Sequence, residues 1–159
     1  GAGCSEASKT AARVAAGVYV PIVSPSSTSP LLSDGAEYPY FFRTIASDAV
    51  MCAGMVEVLQ NLLRYSNVAL ASSTSAYGSE RASSFIYAAQ TEGLSVVVSV
   101  SFGADTVTTK TAFVQLRRAG ARVIVLLAEA SIGVIFVRSG LQADVGGEGY
   151  LWMVGDASL

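Results

Sequence analysis

From residue 67 onward the chain alternates short apolar runs with helical patterns, and this alternation constrains the fold more than any other feature. The pattern predicts strands at residues 67–72, 94–100, 122–127 and 151–154, and helices at residues 77–92, 107–119 and 131–140. Strands that alternate with helices form right-handed βαβ units and a parallel sheet. Because the strand runs are almost continuously apolar, we expect helices to cover both faces of the sheet. The predicted fold class is therefore α/β, with a doubly wound parallel sheet.

The chain before residue 67 holds fewer elements. Residues 5–16 have helical spacing, residues 20–23 and 40–44 are predicted strands, and a serine-rich loop covers residues 24–30. Asp48 is predicted to cap a long helix over residues 49–65. Both ends of the chain resemble segments from the interior of a fold, so we expect the sequence to be a fragment of a longer protein. We place a boundary near residues 43–48, which gives a truncated domain at 1–46 and a nearly complete one at 47–159.

The composition narrows the class of function. Only 14% of the residues are charged and 52% are hydrophobic, against about 25% charged in an average soluble domain. A sheet buried on both faces accounts for this without a membrane span, because the aliphatic run at residues 123–128 is far shorter than the ~20 residues that cross a bilayer. The net charge of −2 and the scattered charges indicate no nucleic-acid partner. Any membrane attachment is expected through segments outside this chain.

Catalytic and metal-binding signatures are also missing from the sequence. There is no histidine, which disfavours imidazole acid–base chemistry and the commonest zinc sites. Cys4 and Cys52 form no metal-binding spacing. A dinucleotide fingerprint would begin at Gly1 and Gly3, but its third glycine position holds Glu6. We expect a protein that is not an enzyme and that needs neither a cofactor nor a metal.

Polar side chains are predicted at the carboxyl ends of strands, where open α/β sheets bind ligands, and at the starts of helices. The candidate ligand-binding residues are Ser5, Ser26, Ser27, Thr28, Asp48, Tyr77, Glu129 and Asp156. Hydroxyl and amide donors beside a helix N-terminus suit a carboxylate, whereas the acidic groups and the tyrosine ring suit an ammonium group. Together the two kinds of group describe an α-amino acid.

Each candidate also has a purely structural interpretation. Ser5 and Asp48 are possible helix caps, the serine loop is a possible turn, and the Tyr77 ring is a possible core side chain. No single position decides between the two interpretations. The case for a binding site depends on all the candidates falling at strand ends or helix starts.

Four stretches of the sequence resemble a known family. They are Gly-Ala-Gly-Cys-Ser at residues 1–5, the segment at 20–34 with its serine loop and Leu-Ser-Asp, Tyr-Phe-Phe-Arg-Thr at 40–44 with Ser47-Asp48, and the pairs Tyr77-Gly78 and Gly155-Asp156. They are similar to the two-lobed "Venus-flytrap" ligand-binding region of class C G-protein-coupled receptors, including metabotropic glutamate and type-B GABA receptors. Natriuretic-peptide receptors and bacterial amino-acid-binding proteins share that region, whose fold is periplasmic-binding-protein-like, type I.

The resemblance implies how such a module works. The family binds a small molecule in the cleft between two lobes, and closure around the ligand is the signal. By resemblance, Ser5, Ser26 and Thr28 hold the α-carboxylate and amine of an amino acid, and Asp48, Tyr77 and Asp156 help to hold the amine. The resemblance further implies a dimer through the first lobe and a place on the extracellular face of the plasma membrane.

Some expectations remain open. A bacterial solute-binding protein of an amino-acid transporter, in the periplasm, is the alternative function within the family, and a module that only dimerises is a third. The basic residues that grip a distal carboxylate in glutamate receptors have no counterpart here, so the ligand side chain is not assigned. By resemblance, the cysteine matching Cys4 pairs with an upstream cysteine, whereas Cys52 has no family role.

Overall fold

The computed structural model describes residues 3–155, which divide into two compact units at Gly1–Gly54 and Met55–Leu159. The predicted boundary, between residues 46 and 47, lies just before the helix that runs across this division. The assignment of the two units to the two lobes of the family stays a prediction.

The first unit is built from one helix, two short strands and a 3₁₀ turn. Helix α1 spans Ser5–Gly17, strand β1 Ile22–Ser24, the 3₁₀ turn Pro30–Ser33 and strand β2 Phe41–Arg43. The two strands pair in parallel. A small core joins α1 to the segment that follows the loop, through Ala12, Leu32, Tyr38 and Phe41.

Strand β1 begins later than predicted, because the chain is still leaving α1 at residue 20. The N–H of Val20 donates to the carbonyl of Ala15 at 3.0 Å, and Tyr19 has a left-handed φ of 58°. Pro21 follows and has no N–H to give to a sheet. Regular pairing therefore starts at Ile22.

Helix α2 spans Asp48–Glu57 and continues as a π-helical turn over Val58–Leu62. The helix begins one residue earlier than predicted, because Asp48 is its first helical residue. Ser47 precedes the helix, and its Oγ accepts a hydrogen bond from the Val50 N–H at 3.4 Å. The predicted end at residue 65 was also wrong, since Arg64 has a left-handed φ of 61°.

The second unit contains all the elements predicted from residue 67 onward. Its strands are β3 Asn67–Ser73, β4 Ser95–Phe102, β5 Val123–Leu127 and β6 Leu151–Val154, and its helices are α3 Ala76–Glu92, α4 Thr106–Arg118 and α5 Ala130–Gln142. The strand order is β4-β3-β5-β6, and every pairing is parallel. The predicted α/β fold with a doubly wound parallel sheet is confirmed.

The main core of this unit lies between the sheet and helices α4 and α5. Its centre is the ring of Phe136, which stacks on Phe102 at 3.7 Å and on Phe113 at 4.4 Å between centroids. Helix α3 packs on β3 and β5 outside this cluster. Strands β3 and β5 are therefore almost wholly buried.

Strand β4 departs from the expectation that both faces of the sheet are covered. It lies at an edge of the sheet, and its residues alternate between exposed and more buried positions. The exposed set is Ser95, Val97, Ser99 and Ser101. Full coverage is correct for β3 and β5 but wrong for β4.

The connections place a topological switch point between β3 and β5. From β3 the chain crosses to β4 on one side of the sheet, and from β4 it crosses back over β3 to β5 on the other side. The loops after β3 and β5 therefore lead to opposite faces of the sheet. Ligands of open α/β sheets bind at the carboxyl ends of the strands that flank such a point.

Candidate functional site

In the first unit, the start of α1 and the serine loop are joined by two hydrogen bonds. The Oγ of Ser5, the first residue of α1, accepts from the Ser29 N–H at 3.1 Å. The Oγ of Ser26 donates to the Gly3 carbonyl at 2.9 Å. The loop after β1 is therefore held against the positive end of a helix, the position that favours a bound anion.

Ser27 belongs to the serine loop, but its side chain lies under the loop and not on its surface. Its side chain is fully buried, and its Oγ lies 2.8 Å from the Ser8 Oγ and accepts from the Ser24 Oγ at 2.9 Å. The Ser24 Oγ in turn accepts from the Ser27 N–H at 3.1 Å. The Ser27 hydroxyl thus stabilises the loop from below, and its role as a ligand-binding residue stays a prediction.

Arg43 fixes the outer part of the same loop. Its Nη1 donates to the carbonyls of Ser29 at 2.9 Å and Ser27 at 3.3 Å, and its Nη2 donates to the Ser33 Oγ. Partial burial lowers the pKa of Arg43, and the charge of Asp48 acts in the opposite direction. Arg43 was not among the predicted site residues, although a cation at the end of strand β2 was the available signal.

Asp48 and Thr28 meet at the other side of the loop. The Asp48 N–H donates to the Thr28 carbonyl at 2.8 Å, and only 2% of Asp48 is exposed. The half-buried Thr28 side chain makes no hydrogen bond to any other residue in the range 3–155. The structure therefore brings Ser5, Ser26, Thr28 and Asp48 together around one loop.

In the second unit, two polar segments meet at the switch point. The Oγ of Ser73, at the end of β3, donates to the Glu129 Oε2 at 2.7 Å and lies 2.9 Å from the Ser75 Oγ. Partial burial acts to raise the pKa of Glu129, but hydrogen bonds from Ser75 and Ser73 outweigh it and leave that pKa below its ordinary value. Glu129 is therefore an anion held in place at the carboxyl end of β5.

Tyr77 lies in the first turn of α3, beside this cluster. The Ser75 Oγ accepts from the Gly78 N–H at 3.0 Å and so caps the helix. A side chain at position 78 would clash with Ser73, because a Cβ there would lie 2.5 Å from the Ser73 carbonyl oxygen. Glycine thus allows the helix that carries Tyr77 to approach the end of β3. Ser73 and Ser75 were not among the predicted site residues, and the serines at and just after the end of β3 were the signal.

Asp156 lies outside the described residues. Gly155, which precedes it, extends the ladder of β6, and its N–H donates to the Leu126 carbonyl at 3.1 Å.

Within the described range no three acidic or cysteine side chains are grouped as metal ligands, and no helix there has the length and apolar character of a membrane span.

A parallel α/β sheet with polar groups gathered at its switch point defines a class of ligand-binding α/β proteins. Comparison with known proteins gives the family: the chain belongs to the "Receptor family ligand binding region", whose sequence profile matches residues 1–159. This is a family of receptor ligand-binding regions and not a class of enzymes. The chain is therefore part of a ligand-binding region of this receptor family.

Three relatives share a partial match. They are metabotropic glutamate receptor 4 from Macaca fascicularis, from Rattus norvegicus and from Mus musculus. Each is 31% identical to this chain over 74 residues. The match covers 46% of this chain and 8% of each receptor. The chain thus corresponds to a small part of the receptors it resembles.

Proposed function

We propose that this module binds an α-amino acid or a closely related small molecule and that ligand binding shifts it toward a closed, signalling conformation. The observation that carries the proposal is the gathering of Ser5, Ser26, Thr28 and Asp48 around one loop beside the start of α1. Donors at a helix N-terminus suit the ligand carboxylate, and the Asp48 carboxylate suits its ammonium group.

The second unit contributes a further polar set to the same function. Tyr77 and Glu129 lie at the carboxyl ends of the switch-point strands, and Asp156 is proposed as a third contact on the basis of the family resemblance. Closure follows if the ligand binds both sets together more tightly than either set alone. The relatives named as glutamate receptors make L-glutamate the first ligand to test.

The proposed setting is the extracellular face of the plasma membrane, with a dimer formed through the first lobe. A solute-binding protein of an amino-acid transporter is the alternative within the same ligand chemistry. A membrane-spanning receptor segment downstream of the module, in the gene that encodes it, supports the first function, and its absence supports the second.

Thr28→Ala is the sharpest test of the proposed site. Because the Thr28 hydroxyl makes no hydrogen bond within residues 3–155, its removal breaks none, and loss of the half-buried methyl group should lower the melting temperature of the ligand-free protein by only about 1–3 °C. A lost hydrogen bond to a charged ligand group costs about 1.5–3 kcal/mol, which raises Kd roughly 10- to 150-fold. Thermal-shift titration of the full-length protein with the twenty amino acids and GABA measures both effects.

The matched control is Thr111→Ala, which removes an exposed hydroxyl on α4 whose one hydrogen bond within residues 3–155 is to the Val107 carbonyl. This variant should keep the wild-type Kd. An amino-acid affinity that Thr28→Ala leaves unchanged would remove the loop from the site. A folded protein that none of the amino acids stabilises would contradict the proposed ligand class.

A further inference from the structure

Arg81 is the largest fully buried side chain in the described part of the chain. It lies on α3 one turn after Tyr77, and its guanidinium carbon is 4.5 Å from the centroid of the Tyr77 ring. Residues four apart on a helix share a face, so both side chains extend from the same side of α3. An arginine is almost never fully buried unless it is paired, and one partner of Arg81 is the Tyr77 ring.

The guanidinium group also lies at the carboxyl end of the sheet. A Cβ built on Gly155, just after β6, would be 3.0 Å from the Arg81 Nη1 and 3.4 Å from a Leu127 methyl carbon. Arg81 therefore occupies the space between the start of α3 and the ends of β5 and β6. Glycine at position 155 leaves room for it.

We propose that Arg81 is a positioning residue that fixes the Tyr77 ring for ligand contact. The inference rests on the proposed function, in which Tyr77 touches the ligand. A planar guanidinium stacks on an aromatic face and restricts its rotation, which the compact ammonium of lysine does less well. The covered face of the ring is then closed to the ligand, so that Tyr77 offers its hydroxyl and its opposite face.

The first experiment reads the ring directly and needs no ligand. The full-length protein carries 3-fluorotyrosine at position 77 only, and its ¹⁹F resonance is recorded from 5 to 35 °C. Wild-type protein gives one sharp line with a fixed shift over this range. Arg81→Met moves and broadens the line, and Arg81→Lys produces an intermediate change.

The matched control is a second arginine–tyrosine pair in the same unit. The guanidinium carbon of Arg122 lies 4.6 Å from the Tyr150 ring centroid, but Arg122 is exposed and precedes β5 at the opposite end of the sheet. Arg122→Met leaves the resonance at position 77 unchanged. An unchanged resonance in folded Arg81→Met, or a wild-type line that already averages two ring positions, would overturn the proposal.

The second experiment measures affinity for whichever amino acid shifts the melting temperature of the wild type. Arg81→Met and Tyr77→Ala each raise Kd about 10-fold, and the double variant raises it no further, because Arg81 acts through Tyr77. Additive losses in the double variant would mean that Arg81 acts independently, against the proposal. A protein that binds no amino acid contradicts the proposed function alone, because the resonance at position 77 still decides whether Arg81 fixes the ring.

Discussion

Replacing Gly78 with alanine tests the close approach of α3 to β3 on which the cluster of Ser73, Ser75 and Glu129 depends. The added Cβ would lie 2.2 Å from the Ser73 Oγ, 2.5 Å from the Ser73 carbonyl oxygen and 2.9 Å from the Ser73 nitrogen. Ordinary contacts of a Cβ are 3.4–4 Å. Because two of the three atoms belong to the backbone, the first turn of α3 must move by about 1 Å.

The expected cost follows from what this movement breaks. Overpacking costs about 1–3 kcal/mol, and weakening the Ser75 cap adds about 1 kcal/mol. The better helix propensity of alanine returns about 1 kcal/mol. We expect Gly78→Ala to lower the free energy of unfolding by roughly 1–3 kcal/mol, which corresponds to a melting temperature about 4–15 °C lower for a unit of roughly 100 residues.

Thermal unfolding followed by circular dichroism measures the change. Ser79→Ala is the matched control, since Ser79 is the next residue of α3 and is exposed, and its effect should stay within about 0.5 kcal/mol. Equal melting temperatures for Gly78→Ala and wild type would refute the described packing of α3 on Ser73. A loss of stability equal to that of Ser79→Ala would do the same.

Two further predictions concern the hydrogen bonds of each cluster. The pKa of Glu129 is depressed, so its contribution to stability is present above the ordinary pKa of 4.5 and is lost as the pH falls through the lower, folded-state value. Melting temperatures from pH 7 to pH 3 should therefore fall less steeply for Glu129→Gln than for wild type, and parallel curves would contradict this reading. Ser27→Ala removes a fully buried hydroxyl and leaves Ser24 and Ser8 without that contact, so it should destabilise the protein by about 1–3 kcal/mol in urea unfolding, whereas the exposed Ser83→Ala should not.

The alternation from residue 67 onward predicted the sheet well because burial decides it. Strand β5 is buried at every position, and such a run of aliphatic residues has few alternatives to the centre of a parallel sheet. Strand β4 has serines at three of its four exposed positions, Ser95, Ser99 and Ser101, which indicates a less covered face, but its position at the edge of the sheet depends on the order of the strands. That order follows from the crossovers and is not written in the strand itself.

For the polar residues, too, the burial of a side chain depends on the packed fold and not on the residue itself. Ser26 and Ser27 are adjacent and chemically identical, and only the packed structure shows that one is exposed and the other fully buried. Arg81 follows Glu80 on a helix, a pattern typical of a solvated surface, although its side chain is fully buried. The sequence thus predicted where polar groups gather but not which of them hold the others in place.

The serine network beneath the first loop has a consequence for the conditions under which the module keeps its shape. The groups that join Ser24, Ser27 and Ser8 are hydroxyls, which neither gain nor lose a proton in water near neutral pH. The cation that holds the outer part of the loop is Arg43. The chain contains no histidine, which would change charge between about pH 5 and pH 8. The hydroxyl network itself should therefore keep one geometry as its surroundings acidify, and any sensitivity to mild acid is expected to arise outside it.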